Sequence, residues 1–276
     1  MNFSGTELNL KNPHIMGVLN ITPDSFSDGG QNNSVDKSIS NALEMIEAGA
    51  SIIDVGGEST RPGAVKVSLE EELQRVVPVI ERLNSVSDVI ISIDTSKPRV
   101  MQEAVSAGAA LINDVFALRQ EGAVEMAATL NVPVCLMHMQ KTPQAMQENP
   151  KYSDILNEID TFFSERIKVC ERAGISKSTL ILDPGFGFGK SLQHNLALLA
   201  NLSIFKHFGC PILAGLSRKS MFGLLLNKKV DERLIASISA AVVAAMNGAT
   251  ILRVHDVVET KDALSVVNAV QQQIKI

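Results

Sequence analysis

Apolar and polar positions follow two rhythms along the chain, and the rhythms take turns. Short runs rich in Val, Ile and Leu end in polar residues. Stretches with apolar residues every three or four positions usually follow them. The runs are 14–22, 51–57, 89–96, 110–115, 132–139, 179–183, 211–216 and 250–254. The helical stretches are 35–48, 69–84, 99–107, 123–130, 155–173, 192–205, 231–246 and 260–274. Strand–helix units of this kind build a parallel sheet, and eight of them predict the α/β class and a closed (β/α)8 barrel. A doubly wound open sheet is the runner-up. Gly49, Gly108, Gly174 and Gly248 stand where four helices should stop, as left-handed closing residues. Pro98 suits the first position of a helix. No linker or low-complexity run divides the chain. A single barrel domain over residues 1–276 is therefore expected, with 1–13 as a short lead-in.

Composition narrows the class. Of 276 residues 45% are apolar and 20% charged, which excludes a disordered chain. A core at this length needs no disulfide or metal staple. Lys and Arg number 25 against 30 Asp and Glu, a net charge of −5. That argues against coating nucleic acid or an anionic membrane. Cys135, Cys170 and Cys210 are far apart and form neither a CxxC pair nor a zinc spacing. Cys135, inside an apolar run, reads as a buried inert thiol. The start of the chain lacks a signal-peptide profile. The uncharged stretch 235–252 contains Ser237, Ser239, Asn247 and Gly248, so it reads as helix, turn and strand and not as a membrane span. A cytoplasmic location is expected.

The chemistry collects at the ends of the runs, which in a parallel barrel form the functional face. Asn20, Asp54, Asp94, Asn113, Asp114, His138, Asp183, Ser217, Arg218, Lys219, Arg253 and His255 all fall there. An Asp after a strand often only caps a helix, but polar endings on all eight runs point to one shared site. Asp54, Asp94, Asn113 and Asp183 suit a flat heterocycle with N–H donors. Lys219, Arg253 and His255 suit an anion, and the loops after strands 7 and 8 are the usual phosphate site of this barrel. The loops 22–30 and 56–64, with Phe26 and Arg61, read as lids over such a site.

Several other patterns lead nowhere. DPGFGFGKS (183–191) has Pro184 where a nucleotide-binding loop needs Gly. The five histidines lack zinc spacing. Lys219 as a Schiff-base lysine conflicts with a site furnished for an anionic leaving group.

The motifs, taken in order, resemble those of the dihydropteroate synthases. GVLNITPDSFSDGG (17–30) and DVGGESTRPGA (54–64) are the most specific; IDTSKPRV (93–100), INDV (112–115), LMHMQ (136–140), DPGFGFGKS, GLSRKS (215–220) and RVHDV (253–257) follow. The resemblance implies a barrel enzyme of folate biosynthesis. It would join (7,8-dihydropterin-6-yl)methyl diphosphate to 4-aminobenzoate, use Mg2+, form a homodimer and be a sulfonamide target. Pterin contacts would fall on Asp94, Asn113, Met137, Asp183, Lys219 and Arg253. Diphosphate contacts would fall on Asn20, Thr60, Arg61, Arg253 and His255, with Asn20 near Mg2+. The 4-aminobenzoate pocket would be Phe26, Thr60, Arg61, Pro62, Phe188 and Ser217. Asp94, Lys219, Arg253 and Arg61 would carry catalysis. Asp54 belongs to the same shell, with a role the resemblance leaves open. Lys141 departs from the family, which usually has Gly there. The rivals are a corrinoid-dependent methyltransferase on the same pterin-binding barrel and a non-catalytic paralogue.

Overall fold

The computed structural model describes residues 1–21, 31–59, 66–140 and 150–273. Eight parallel strands form the barrel: β3 (His14–Asn20), β4 (Ile52–Gly56), β5 (Ile90–Asp94), β6 (Leu111–Asp114), β7 (Val134–Met137), β8 (Leu180–Asp183), β9 (Leu213–Ala214) and β10 (Ile251–Val254). Strands β3 to β8 lie side by side in chain order; β10 pairs with the other edge of β3, and β9 lies beyond it. The ring closes where Leu182 bridges Ile212 in parallel and its N–H donates to the Pro211 carbonyl at 2.9 Å. An open doubly wound sheet would leave those edges apart.

Helices α1 (Gln31–Glu47), α2 (Leu69–Val86), α3 (Pro98–Ser106), α4 (Ala123–Leu130), α5 (Ile155–Arg172), α6 (Leu192–Ala200), α7 (Ser220–Leu226), α8 (Leu234–Met246) and α9 (Val257–Gln273) fill the connections and follow β10. The glycine stop signals hold: Gly49, Gly108, Gly174 and Gly248 all have φ between +91 and +121°. Pro98 opens α3.

Three details differ from the sequence pattern. The stretch 192–205 is not one helix; α6 ends at Asn201, whose side chain donates to the Ala197 carbonyl at 2.8 Å, and a 3₁₀ turn (Leu202–Phe208) takes over. Helix α7 escaped notice because Met221, Phe222 and Leu224–Leu226 are nearly consecutive and show no helical period. The lead-in is a hairpin of β1 (Asn2–Phe3) and β2 (Thr6–Glu7), turning on Ser4 and Gly5 at positive φ. Two-residue strands are too short to leave a periodic signal.

The hairpin has a purpose. Phe3, 1% exposed, packs into a layer made of one side chain from each barrel strand: Met16, Ile52, Ile90, Leu111, Cys135, Ile181, Leu213 and Ile251. This layer is the apolar floor of the barrel. The intervening residues, such as Ile15, Ile53, Ile91 and Leu252, face outward into the shell of helices. Among the described residues no helix is long and apolar enough to cross a membrane.

Candidate active site

Strand side chains alternate between faces, so counting by two from the floor names the residues above it. One step up stand Val18, Asp54, Ser92, Asn113, Met137, Asp183, Gly215 and Arg253. A second step reaches Asn20, Gly56, Asp94, Ser217 and His255. Most of the polar groups expected from the sequence thus share one interior face at the carboxyl end of the barrel; Asp114 and His138 are off the count, and His138 turns onto Lys190 and Phe162. Asp114, one residue off this count, turns outward. Its carboxylate accepts the backbone N–H groups of Phe116 and Leu118, together with the Ser96 hydroxyl, and so shapes the turn after β6.

Arg253 is the hub. Its Nε donates to Asp54 Oδ2 at 2.6 Å and its Nη2 to Asp94 Oδ2 at 2.8 Å. Asn113 donates to the same Asp54 oxygen at 3.0 Å. Asp54 is fully buried, and its Oδ1 finds no hydrogen-bond partner among the described residues. Ser92, its register partner on β5, also has a buried hydroxyl without one there. A ligand donor or a water in this corner would satisfy both.

Burial dominates the acids. It raises the Asp94 pKa to about 7, with Arg253 pulling down and Asp54 pushing up. Burial raises Asp183 too, opposed by the Gly185 N–H at 2.7 Å and by Lys219, Lys190 and Arg253. Burial alone would lower Arg253, but Asp54 and Asp94 more than reverse this and hold it above its ordinary value.

The remaining candidates line the mouth. The Lys219 ammonium lies 4.2 Å from the centre of the Phe188 ring, a cation–π contact. It sits at the N-cap of α7, after Arg218 at positive φ. Arg218 itself turns away onto Asp256. The Ser217 hydroxyl meets His255 at both its backbone N–H, 3.2 Å, and its Nδ1, 3.0 Å. Met137 joins Val115, Met139, Phe116 and Phe188 in an apolar wall. Asn20 is exposed at the rim. Gly56 keeps this region open: a Cβ there would stand 3.7 Å from both Asn20 Oδ1 and Asp94 Oδ2. Phe26, Thr60, Arg61, Pro62 and Lys141, and with them both expected lids apart from residues 56–59, lie outside the described residues.

Two groups beside the site, the half-buried Lys97 and the buried Lys190, were not among the sequence candidates. Lys97 binds Glu58 Oε2 at 2.6 Å, the Val67 carbonyl at 3.0 Å and Glu72. It thereby ties residues on both sides of 60–65 to α2. Lys190 lies beneath the turn after β8. Both stood inside recognised motifs, but their partners come from elsewhere in the chain.

An amide, three buried carboxylates and an arginine at the base of a pocket can grip a heterocycle through its N–H edge. Cations and hydroxyls at the rim can hold an anion. Known proteins match this arrangement. The family described as pterin binding enzyme matches residues 16–255. The dihydropteroate synthase of Escherichia coli K12 is 58% identical over 265 residues, covering 96% of this chain and 94% of that protein. The chain belongs to the dihydropteroate synthases. Among solved dihydropteroate synthases, the Yersinia pestis enzyme in a sulfonamide drug complex superposes with a TM-score of 0.94 at 53% identity, covering 99% of both chains. The Xanthomonas albilineans enzyme in complex with 7,8-dihydropteroate gives 0.87 at 48%, covering 96% of this chain and 95% of that one. This dihydropteroate synthase is thus a transferase of folate biosynthesis on a pterin-binding barrel. The similarity over nearly the full length favours it over the corrinoid methyltransferase and the inactive paralogue.

Proposed function

We propose that the barrel mouth joins (7,8-dihydropterin-6-yl)methyl diphosphate to 4-aminobenzoate by letting diphosphate depart ahead of amine attack. The observation that carries this is Arg253 held between Asp54 and Asp94, with one Asp54 oxygen left without a partner among the described residues. Such a base is built for a ring that brings N–H donors and develops positive charge. Asp94, Asn113 and Asp183 accept and orient the pterin, and the carboxylates of Asp94 and Asp183 favour cationic character at the methylene. Lys219 contacts the pterin, while Arg253 and His255 stabilise the leaving diphosphate. The arylamine is neutral at pH 7 and needs no strong base. Ser217 and Phe188 are the residues we assign to its carboxylate and its ring.

Asn20 fits a place beside Mg2+. It offers one neutral oxygen at the rim, close to Asp94, and Mg2+ usually takes only one or two protein oxygens with phosphate and water completing its shell. When bound, Mg2+ would neutralise charge on the diphosphate. The test is diphosphate release from the pterin diphosphate with Mg2+, with and without 4-aminobenzoate. Release that requires the arylamine and yields dihydropteroate supports the assignment; equal release without it would mean hydrolysis and overturn it. A sulfonamide should then compete with 4-aminobenzoate.

A homodimer is part of this proposal, supported by apolar side chains left exposed on α7, α8 and α9: Leu224, Ile235, Met246, Val258, Val266 and Val270, each more than half exposed. We expect Ile235→Glu to halve the mass measured by light scattering and to leave the barrel folded. An unchanged mass would place the interface elsewhere. Three free, buried cysteines agree with a reducing cytoplasm.

A further inference from the structure

Lys190 is a lysine 4% exposed, standing just after the glycine-rich turn that follows β8. Its ammonium donates to His138 Nδ1 at 3.0 Å and to the carbonyls of Gly185 at 2.9 Å and Phe188 at 3.0 Å, with the His138 carbonyl at 3.3 Å. One ammonium therefore joins the end of β7 to the whole turn after β8. Burial pulls its pKa down to about 7, against the pull of Asp183, so it carries its charge on the acid side of neutrality, where the limb measured below lies. The imidazole is arranged to accept. Burial drives its pKa down to about 2, with Lys190 and Arg119 adding to the effect, and Phe162 meets it edge-on at 4.9 Å.

The turn is closely fitted. Gly185 has φ +71°, and a Cβ there would stand 1.9 Å from the His138 carbonyl oxygen, so β7 and the turn touch backbone to backbone. Asn195 Oδ1 accepts the Gly187 N–H at 2.7 Å, and the Tyr152 hydroxyl donates to the Gly189 carbonyl at 2.8 Å. Two site features hang on this turn. The Gly185 N–H bonds Asp183, and the Phe188 ring lies beneath Lys219. The Lys190 charge also helps to hold the Asp183 pKa down against burial.

We propose that Lys190 is a positioning residue for pterin binding, whose ammonium locks the turn that sets Phe188 against Lys219 and fixes the Gly185 N–H on Asp183. The proposal rests on the assignment of Asp183 and Lys219 to the pterin. A buried ammonium among carbonyls is costly to install, and an alkyl chain of similar size could fill the space. The charge is what reaches Asp183.

The test uses Lys190→Met and Lys190→Arg, with the affinity of the full enzyme for the pterin diphosphate measured from about pH 5.5 to 8.5. Lys190→Met should bind about tenfold more weakly at neutral pH. Its loss of affinity on the acid side should begin about one pH unit higher than in the wild type, because Asp183 has lost a nearby cation. Lys190→Arg keeps the charge, so its acid limb should return to the wild-type position even where affinity is only partly restored. Should Lys190→Met fail to fold, Lys190→Gln, which still donates to carbonyls, carries the same test. Tyr152→Phe removes a bond to the same turn without removing charge, and its acid limb should not move. A Lys190→Met enzyme with wild-type affinity and an unmoved limb would overturn the proposal. Asp183→Asn separates the two levels: if it too binds normally, the pterin assignment fails; if it alone loses binding, only the role of Lys190 fails.

Discussion

Asp94→Asn should lower kcat about a thousandfold and leave the melting temperature within a few degrees of the wild type. The two effects separate because the carboxylate earns its place in the reaction and not in folding. Asp94 is buried at the mouth, accepts Arg253 Nη2 at 2.8 Å and has its pKa raised to about 7 by burial. A folded-state pKa above the unfolded value means that the folded enzyme holds the proton more tightly. This group's contribution to stability therefore falls as pH rises from about 4 to about 7, and is constant above. Asparagine removes that slope, and its amide oxygen can still accept from Arg253. It cannot supply the negative charge that favours a cationic pterin. The same titration makes pterin binding depend on pH. The ligand's N–H donors prefer the carboxylate, so binding below about pH 7 releases a proton and weakens as pH falls. Calorimetry at about pH 6 in two buffers of different ionisation enthalpy should show that release in the wild type and not in Asp94→Asn. Turnover within tenfold of wild type would remove Asp94 from the reaction.

The sequence carried the barrel well, since strand and helix periods are local and eight units repeat. It also carried which polar residues share the barrel mouth, for a reason the structure makes simple. Each strand contributes a floor residue, and polar groups two and four positions later share its face; Met16 leads to Asn20, Ile52 to Asp54, Ile251 to Arg253 and His255. The same count separates Asn113 from Asp114, which lie adjacent at a strand end and point to opposite sides. What could not be read were pairings across the ring. Arg253 meets Asp54 from 199 residues away, and no local pattern distinguishes a guanidinium that binds two carboxylates from one that waits for an anion. Lys190 was hidden for the opposite reason. Its motif looked like a failed phosphate loop, so the lysine lost its apparent partner, whereas its real acceptors are backbone carbonyls and a histidine that carry no sequence signature.

Arg253→Met should cost more stability than any other single change in the site, about 3 kcal/mol at pH 8, the low end of what stranding a buried charge usually costs. The arginine is about a quarter exposed and Asp94 can take up a proton, which keeps the value from rising further. Asp54 would keep Asn113 on its Oδ2, while Asp94 would lose its Arg253 contact, and the two carboxylates would face each other without the cation. Arg253 is the main influence lowering the Asp94 pKa, so its removal should send that pKa above about 7. The sign then follows. A variant in which Asp94 is raised further binds that proton more tightly when folded, so its stability deficit should be full at about pH 8 and shrink toward pH 5. Thermal melts at the two pH values read this directly. A deficit equal at both would mean that the loss is one of packing, since the methionine lacks the guanidinium's bulk. The double variant Arg253→Met, Asp94→Asn sharpens the distinction, because removing one stranded acid should restore much of the stability while leaving turnover abolished. Stability returning without activity would show that the Arg253–carboxylate array is held in the barrel for the departing diphosphate and the cationic pterin, with the fold needing only that its charges balance.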